Sequence, residues 1–220
     1  MKYEIYSLSE HSISLYFEQK ISPEINDLVL SACEWINKNP MIGFVEVVPA
    51  YASLTVFYKI LEIKPLIKSG TISEYVEDYL KSIPFEELTQ LEREPKIVEI
   101  PVKYNGEDLI SLCEAKEIDR RELIKLHTAP DYRVYMMGFL PGFAYLGGLD
   151  KKLSMPRRAK PRIRVPKGSV GIAGNQTGIY PVSSPGGWQL IGQTDAVLFD
   201  PKMKKMTLLN NGDTVRFVEG

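Results

Sequence analysis

Residues 168–192 read Gly168-Ser169-Val170-Gly171-Ile172-Ala173-Gly174-Asn175-Gln176-Thr177-Gly178-Ile179-Tyr180-Pro181, then Val182-Ser183-Ser184-Pro185-Gly186-Gly187-Trp188-Gln189-Leu190-Ile191-Gly192. Short apolar and β-branched runs are cut every few residues by Gly or Pro. That pattern specifies short strands and tight turns, because Gly supplies turn conformations closed to other residues and Pro interrupts strand ladders. The same punctuation begins at Tyr132, and no clear helix follows it. A β-barrel or sandwich is therefore expected for the C-terminal part.

Widening the window to 138–192 sharpens the contrast with the rest of the chain. This stretch holds 11 of the 16 glycines and six of the 15 prolines. Its eight basic residues face a single acid, Asp150, so it carries +7 in a protein of net charge −1. Interleaved Phe, Tyr, Trp, Ile, Leu and Val exclude a flexible low-complexity linker.

Upstream, the pattern changes. Lys2–Leu8 and Ser12–Phe17 read as strands. Ser22-Pro23-Glu24 reads as a helix start, with a capping hydroxyl, a proline suited to the first turn and an acid at the positive dipole end. Ile25, Leu28, Val29, Ala32 and Ile36 follow at helical spacing. Strands over Gly43–Val48 and Ser53–Ile60 and a helix over Thr71–Ile83 complete a strand-strand-helix repeat. The expected fold is α+β: a small α/β sandwich over residues 1–84, a linker over 85–95, and a β-barrel over 96–220. Lys96–Tyr104 is expected as its first strand and Asp119–Thr128 as a short helix.

Composition excludes several classes. At 220 residues, with 44% hydrophobic and 25% charged, the chain is long enough for a sizeable core and ordinary for a globular protein. Its balanced charge argues against a dedicated nucleic-acid binder. No run approaches the roughly 18 apolar residues of a membrane span, and no signal peptide is visible. Two cysteines, Cys33 and Cys113, do not make a disulfide scaffold, so a cytoplasmic protein is expected. The phosphate-loop, dinucleotide and nucleophile-elbow signatures are missing, and neither His11 nor His127 belongs to a metal motif, so no metal site is expected. Met203-Lys204-Lys205-Met206 lacks the Met-Lys-Met order of a biotin-attachment site.

Candidate site residues come from what remains. His127 titrates near neutrality when unperturbed, so it is a candidate general acid/base or substrate contact; the alternative is a satisfied structural histidine at a helix end. Arg158 and Arg162 lie among Pro156, Pro161 and Pro166. Stiff backbone and planar guanidinium forks suit a carboxylate or phosphate, and the alternative is a basic loop paired with acids elsewhere. Gln176 can donate and accept, and Tyr180 offers a hydroxyl or simply packs. Phe139, Phe143 and Tyr145 form either a pocket wall or part of the core.

The run Tyr132-Arg133-Val134-Tyr135-Met136-Met137-Gly138-Phe139-Leu140-Pro141-Gly142-Phe143-Ala144-Tyr145-Leu146-Gly147-Gly148-Leu149-Asp150 precedes Met155-Pro156-Arg157-Arg158 and Pro161-Arg162-Ile163-Arg164-Val165-Pro166. With Gly168–Gly174, Gln176–Pro181 and Ser184–Trp188, it resembles the family named for the sporulation kinase inhibitor KipI and allophanate hydrolase subunit 1. Many members of that family are described as the B subunit of ATP-dependent bacterial 5-oxoprolinase. Val48–Leu54 and Asn211–Phe217 are similar landmarks nearer the ends. Members often carry a Gly-Asp pair where this chain has Ser9-Glu10-His11.

The resemblance implies a cyclophilin-like β-barrel and a part in opening the 5-oxoproline lactam to glutamate. ATP would be a substrate of the whole complex, with the C and A subunits of 5-oxoprolinase as partners and the chain inactive alone. On the residue chemistry above, with His127 strengthened by the resemblance, catalytic roles are expected for His127 and Gln176, and substrate or nucleotide contacts for Arg158, Arg162 and Tyr180. The resemblance also implies two alternatives. One is inhibition of a sporulation histidine kinase by direct binding. The other is half of a biotin-dependent urea or allophanate-type carboxyltransferase.

Overall fold

The computed structural model of the chain describes residues 2–88 and 96–220. Two compact units emerge, residues 1–93 and 94–220. The first contains β1 (Glu4–Ser9), β2 (Ser12–Tyr16), α1 (Pro23–Lys38), β3 (Phe44–Pro49), β4 (Ser53–Tyr58), α2 (Ile60–Ile63) and α3 (Ile72–Lys81). Its four strands form an antiparallel sheet in the order β1-β2-β4-β3.

The helix signals act as their chemistry requires. The Ser22 side chain accepts from the Ile25 N–H at 3.3 Å. Thr71 and Glu74 form a reciprocal capping box at the start of α3. Ile13, Leu15, Leu54 and Val56 from the sheet meet Leu28, Val29, Ala32 and Ile36 from α1 and Val76 and Leu80 from α3. Each such fully buried aliphatic side chain stabilises the fold by roughly 1.5–3 kcal/mol relative to exposure. Phe85, expected as the first linker residue, is instead buried in this core, edge-on to Phe17 at 5.6 Å. Residues 89–95 of the expected linker lie outside the described residues.

The second unit holds β5 (Ile97–Val102), α4 (Leu109–Lys116), α5 (Arg120–Thr128), β6 (Asp131–Met137), β7 (Ala144–Gly147), β8 (Arg162–Val165), β9 (Ser169–Ala173), β10 (Gln176–Ile179), β11 (Ser184–Gly186), β12 (Gln189–Gln193) and β13 (Thr214–Glu219). Seven strands make one sheet, ordered β12-β9-β10-β7-β6-β13-β5, while β8 and β11 pair separately. The β13–β5 pair is parallel and the other pairs are antiparallel. The sheet curls until its two edges meet: Lys103, just past β5, exchanges hydrogen bonds of 2.8 and 2.9 Å with Gln193 of β12. Its inner face carries the core, including Val134, Leu146, Val170, Ile172, Ile179 and Phe217.

No sequence pattern announces helix α4. Leu109, Leu112 and Cys113 are buried while Ile110 is exposed, so apolar side chains point in several directions and no single stripe marks the helix. Among the described residues, no helix is long and apolar enough to cross a membrane.

Candidate functional site

Strand β10 divides the candidate residues, because successive side chains point to opposite faces. Thr177 and Ile179 face the core. Gln176 and Gly178 face the other way. There Trp188, Phe143, Tyr145 and Tyr180 form an aromatic cluster. Gly178 lets that cluster lie against the sheet: a Cβ there would stand only 3.0 Å from the Trp188 ring.

His127 belongs to the core side. It sits in the last turn of α5 with 0% exposure. Nδ1 lies 2.8 Å from the Tyr104 hydroxyl and Nε2 lies 3.0 Å from Thr177 Oγ1. The single Thr177 proton goes to the Gly171 carbonyl at 3.0 Å. Thr177 must therefore accept from His127 Nε2–H, which leaves Nδ1 to accept from Tyr104. The ring is held as one neutral tautomer, stacked 4.5 Å from Phe217. Burial pushes its pKa down to about 3. In this structure the side chain is fully buried. Its neighbours assign it a tethering role, joining α5 to β10 and to the chain after β5.

Arg158, Arg162 and Tyr180 do come together, around residues 186–188. The organising group is Asp108, which no sequence signal singles out. Its carboxylate accepts from Arg158 Nη1 at 2.7 Å, from Arg162 Nη2 at 2.7 Å to each oxygen, and from the Leu190 N–H at 2.7 Å. Glu107 takes Arg162 Nε at 3.0 Å, and the Trp188 carbonyl takes Nη1 at 3.3 Å. Burial works against the Arg162 charge, but the hydrogen bonds to Asp108 and Glu107 outweigh it and raise the pKa further.

The two arginines are thus unequal. Arg162 has 13% of its side chain exposed and its guanidinium is committed to protein partners. Arg158 has 39% exposed and, among the described residues, its side chain makes one hydrogen-bonded ion pair, to Asp108. It retains donors for a carboxylate or phosphate, beside exposed Arg157 and Lys160. Tyr180 is 1% exposed, and burial raises its pKa against a hydrogen bond with the Trp188 backbone and the charges of Arg157 and Arg162. Gln176 is half-buried and starts β10 opposite Gly147 and Ala173. Among the described residues, no group of three His, Cys, Asp or Glu side chains could hold a metal ion.

A curled seven-stranded sheet with a glycine-rich outer face and an arginine–carboxylate cluster at its rim defines the class. The chain belongs to the carboxyltransferase domain family, subdomain C and D, whose model matches residues 3–209. It is 42% identical to the 5-oxoprolinase B subunit of Bacillus subtilis (strain 168), over 99% of this chain and 93% of the relative. The crystal structure of TTHA0988 superposes with a TM-score of 0.83 at 35% identity, covering 99% of this chain. This chain spans only 41% of that longer one. The Kluyveromyces lactis urea carboxylase structure matches 99% of this chain with a TM-score of 0.77 at 18% identity, which speaks for the fold alone.

Proposed function

We propose that this chain is the B subunit of an ATP-dependent 5-oxoprolinase, acting in the cytoplasm with the C and A subunits to hydrolyse 5-oxoproline to glutamate. The near-full-length likeness to the Bacillus subtilis protein carries this reading. On it, the two units are two domains, the second a cyclophilin-like β-barrel. ATP is consumed by the complex, and the chain alone is inactive.

The chemistry asked of the complex is the opening of a resonance-stabilised lactam. Phosphorylating the lactam oxygen makes the ring carbon electrophilic, and groups aimed at the developing negative charge lower the barrier. Arg158, with its remaining donors, is the residue best placed to meet an anionic group. Arg162 and Asp108 fix its position. Tyr180 and Gln176 shape the same rim through the aromatic cluster. His127 serves by holding β10 in register.

The test is reconstitution. Extract lacking this protein is assayed for ATP-dependent formation of glutamate from 5-oxoproline, then supplemented with purified chain. Restored activity is expected. Undiminished activity in the depleted extract would overturn the reading and turn attention to kinase binding or biotin-linked carboxyl transfer.

A further inference from the structure

The arginine cluster keeps part of one guanidinium out of its own network, and the part it keeps out selects a ligand. Asp108 is full. Its Oδ1 accepts from Arg158 Nη1 and Arg162 Nη2, and its Oδ2 accepts from Arg162 Nη2 and the Leu190 N–H. Those donors occupy every lone-pair direction a carboxylate offers. Arg158 therefore meets Asp108 through Nη1 and cannot turn its other nitrogens to the same group. Among the described residues, Nε and Nη2 of Arg158 have no protein acceptor.

The chain that carries Arg158 is held still. The Met155 N–H donates to the Gly174 carbonyl at 3.3 Å, and the Gly174 N–H returns a bond of 2.7 Å. Gln189 Nε2 donates to the Pro156 carbonyl at 2.9 Å. The Arg158 N–H donates to the Gly187 carbonyl at 2.7 Å. The side chain is thus anchored at its backbone and, through Asp108, at its tip. A group ordered in advance loses little entropy when a ligand arrives.

In a guanidinium, Nε–H and one Nη2–H point the same way and form a two-pronged edge. That edge matches the two oxygens of a carboxylate. A phosphoryl group brings a further oxygen and a further charge, and the edge has no third prong for them. Asp108 and Glu107 balance Arg158 and Arg162. Net attraction for an anion then comes from Arg157 and Lys160, exposed in the same segment and without ion-pair partners among the described residues. The substrate 5-oxoproline carries one carboxylate, outside the amide bond that breaks. It is a handle that the reaction leaves unchanged.

We propose that Arg158 binds the carboxylate of the ring substrate through Nε and Nη2, with Asp108 as the residue that positions the fork. The assignment rests on the 5-oxoprolinase reading and adds which anion the rim recognises and by which atoms.

Kinetics of the reconstituted complex test it. A handle held alike in ground and transition states acts on KM and not on kcat. Arg158→Gln should raise KM for 5-oxoproline about tenfold or more, as loss of a charge-assisted pair of hydrogen bonds requires. It should lower kcat by less than about threefold and leave KM for ATP unmoved. Arg158→Lys keeps a cation for Asp108 and loses the two-pronged edge, so it is the companion variant if the glutamine form melts early. Its KM for 5-oxoproline should also rise, by less. An unmoved KM for 5-oxoproline in both variants, a rise confined to KM for ATP, or a loss of kcat alone would overturn the proposal. So would a variant that needs more chain to restore the same activity at an unmoved KM, which would give the fork to a carboxylate of a partner subunit. A wild-type chain that restores no activity defeats the 5-oxoprolinase reading itself. Restored wild-type activity with an unmoved KM in the variants defeats the carboxylate assignment alone.

Discussion

The second unit contains two polar networks built on opposite principles. The Tyr104–His127–Thr177–Gly171 chain is neutral, buried and inside the curled sheet. The Arg158–Asp108–Arg162 cluster is ionic and partly wet at its rim. In the first, every donor meets one acceptor, so burial costs little and the histidine is kept uncharged. In the second, Asp108 holds two guanidiniums and Glu107 supplies the second negative charge, so charge is balanced while Arg158 keeps donors to spare. The comparison teaches that the titratable residue nearest the motif is the one withdrawn from solvent. Of the two permanently charged residues, Arg162 is committed to protein partners and Arg158 keeps exposed donors.

The largest effect should come from breaking the ionic network. Asp108→Asn removes the charge that compensates Arg162 while nearly keeping shape, and should cost about 3–4 kcal/mol of unfolding free energy. Urea denaturation would measure it, and a loss below about 1 kcal/mol would mean the cluster behaves like an exposed pair. His127→Ala should follow at about 2–3 kcal/mol, since it leaves a cavity and unpairs Tyr104 and Thr177.

Both residues show where sequence reading stops. The strands around 168–192 and the helix that starts at Pro23 were legible because Gly, Pro and capping residues act locally. Phe143 was legible only as either a pocket wall or part of the core, and the structure buries it. Asp108 was not, because its partners lie about fifty residues away and nothing in Asn105-Gly106-Glu107-Asp108 announces them. It stands at the start of α4 without capping it; its carboxylate is taken by arginines instead. The burial of His127 was equally hidden, since it depends on Phe217, Tyr132 and Thr177 converging from three strands. The positive φ of Phe139 was hidden too, since a bulky side chain at that position gives no sign of a left-handed backbone.

Acid sharpens the contrast next. Unfolded, a histidine takes up a proton near pH 6.5, whereas folded His127 resists until about 3. Its contribution is therefore complete above pH 6.5 and is lost as pH falls toward 3, at about 1.4 kcal/mol per pH unit within that window. The stability difference between wild type and His127→Gln should narrow by that slope between pH 6 and 4. A pH-independent difference would contradict the neutral assignment. The smallest effect belongs to Phe139→Gly. Relieving the left-handed strain should raise stability by about 1 kcal/mol, read as a higher melting temperature.

The neutral state of His127 is the point on which the contrast turns. Following the His127 ring nitrogens by NMR from pH 8 to pH 4 tests it most directly. A fixed Nε2–H tautomer with no titration across that range is predicted. A midpoint between pH 6 and 7 would place the ring in contact with solvent and contradict the assignment.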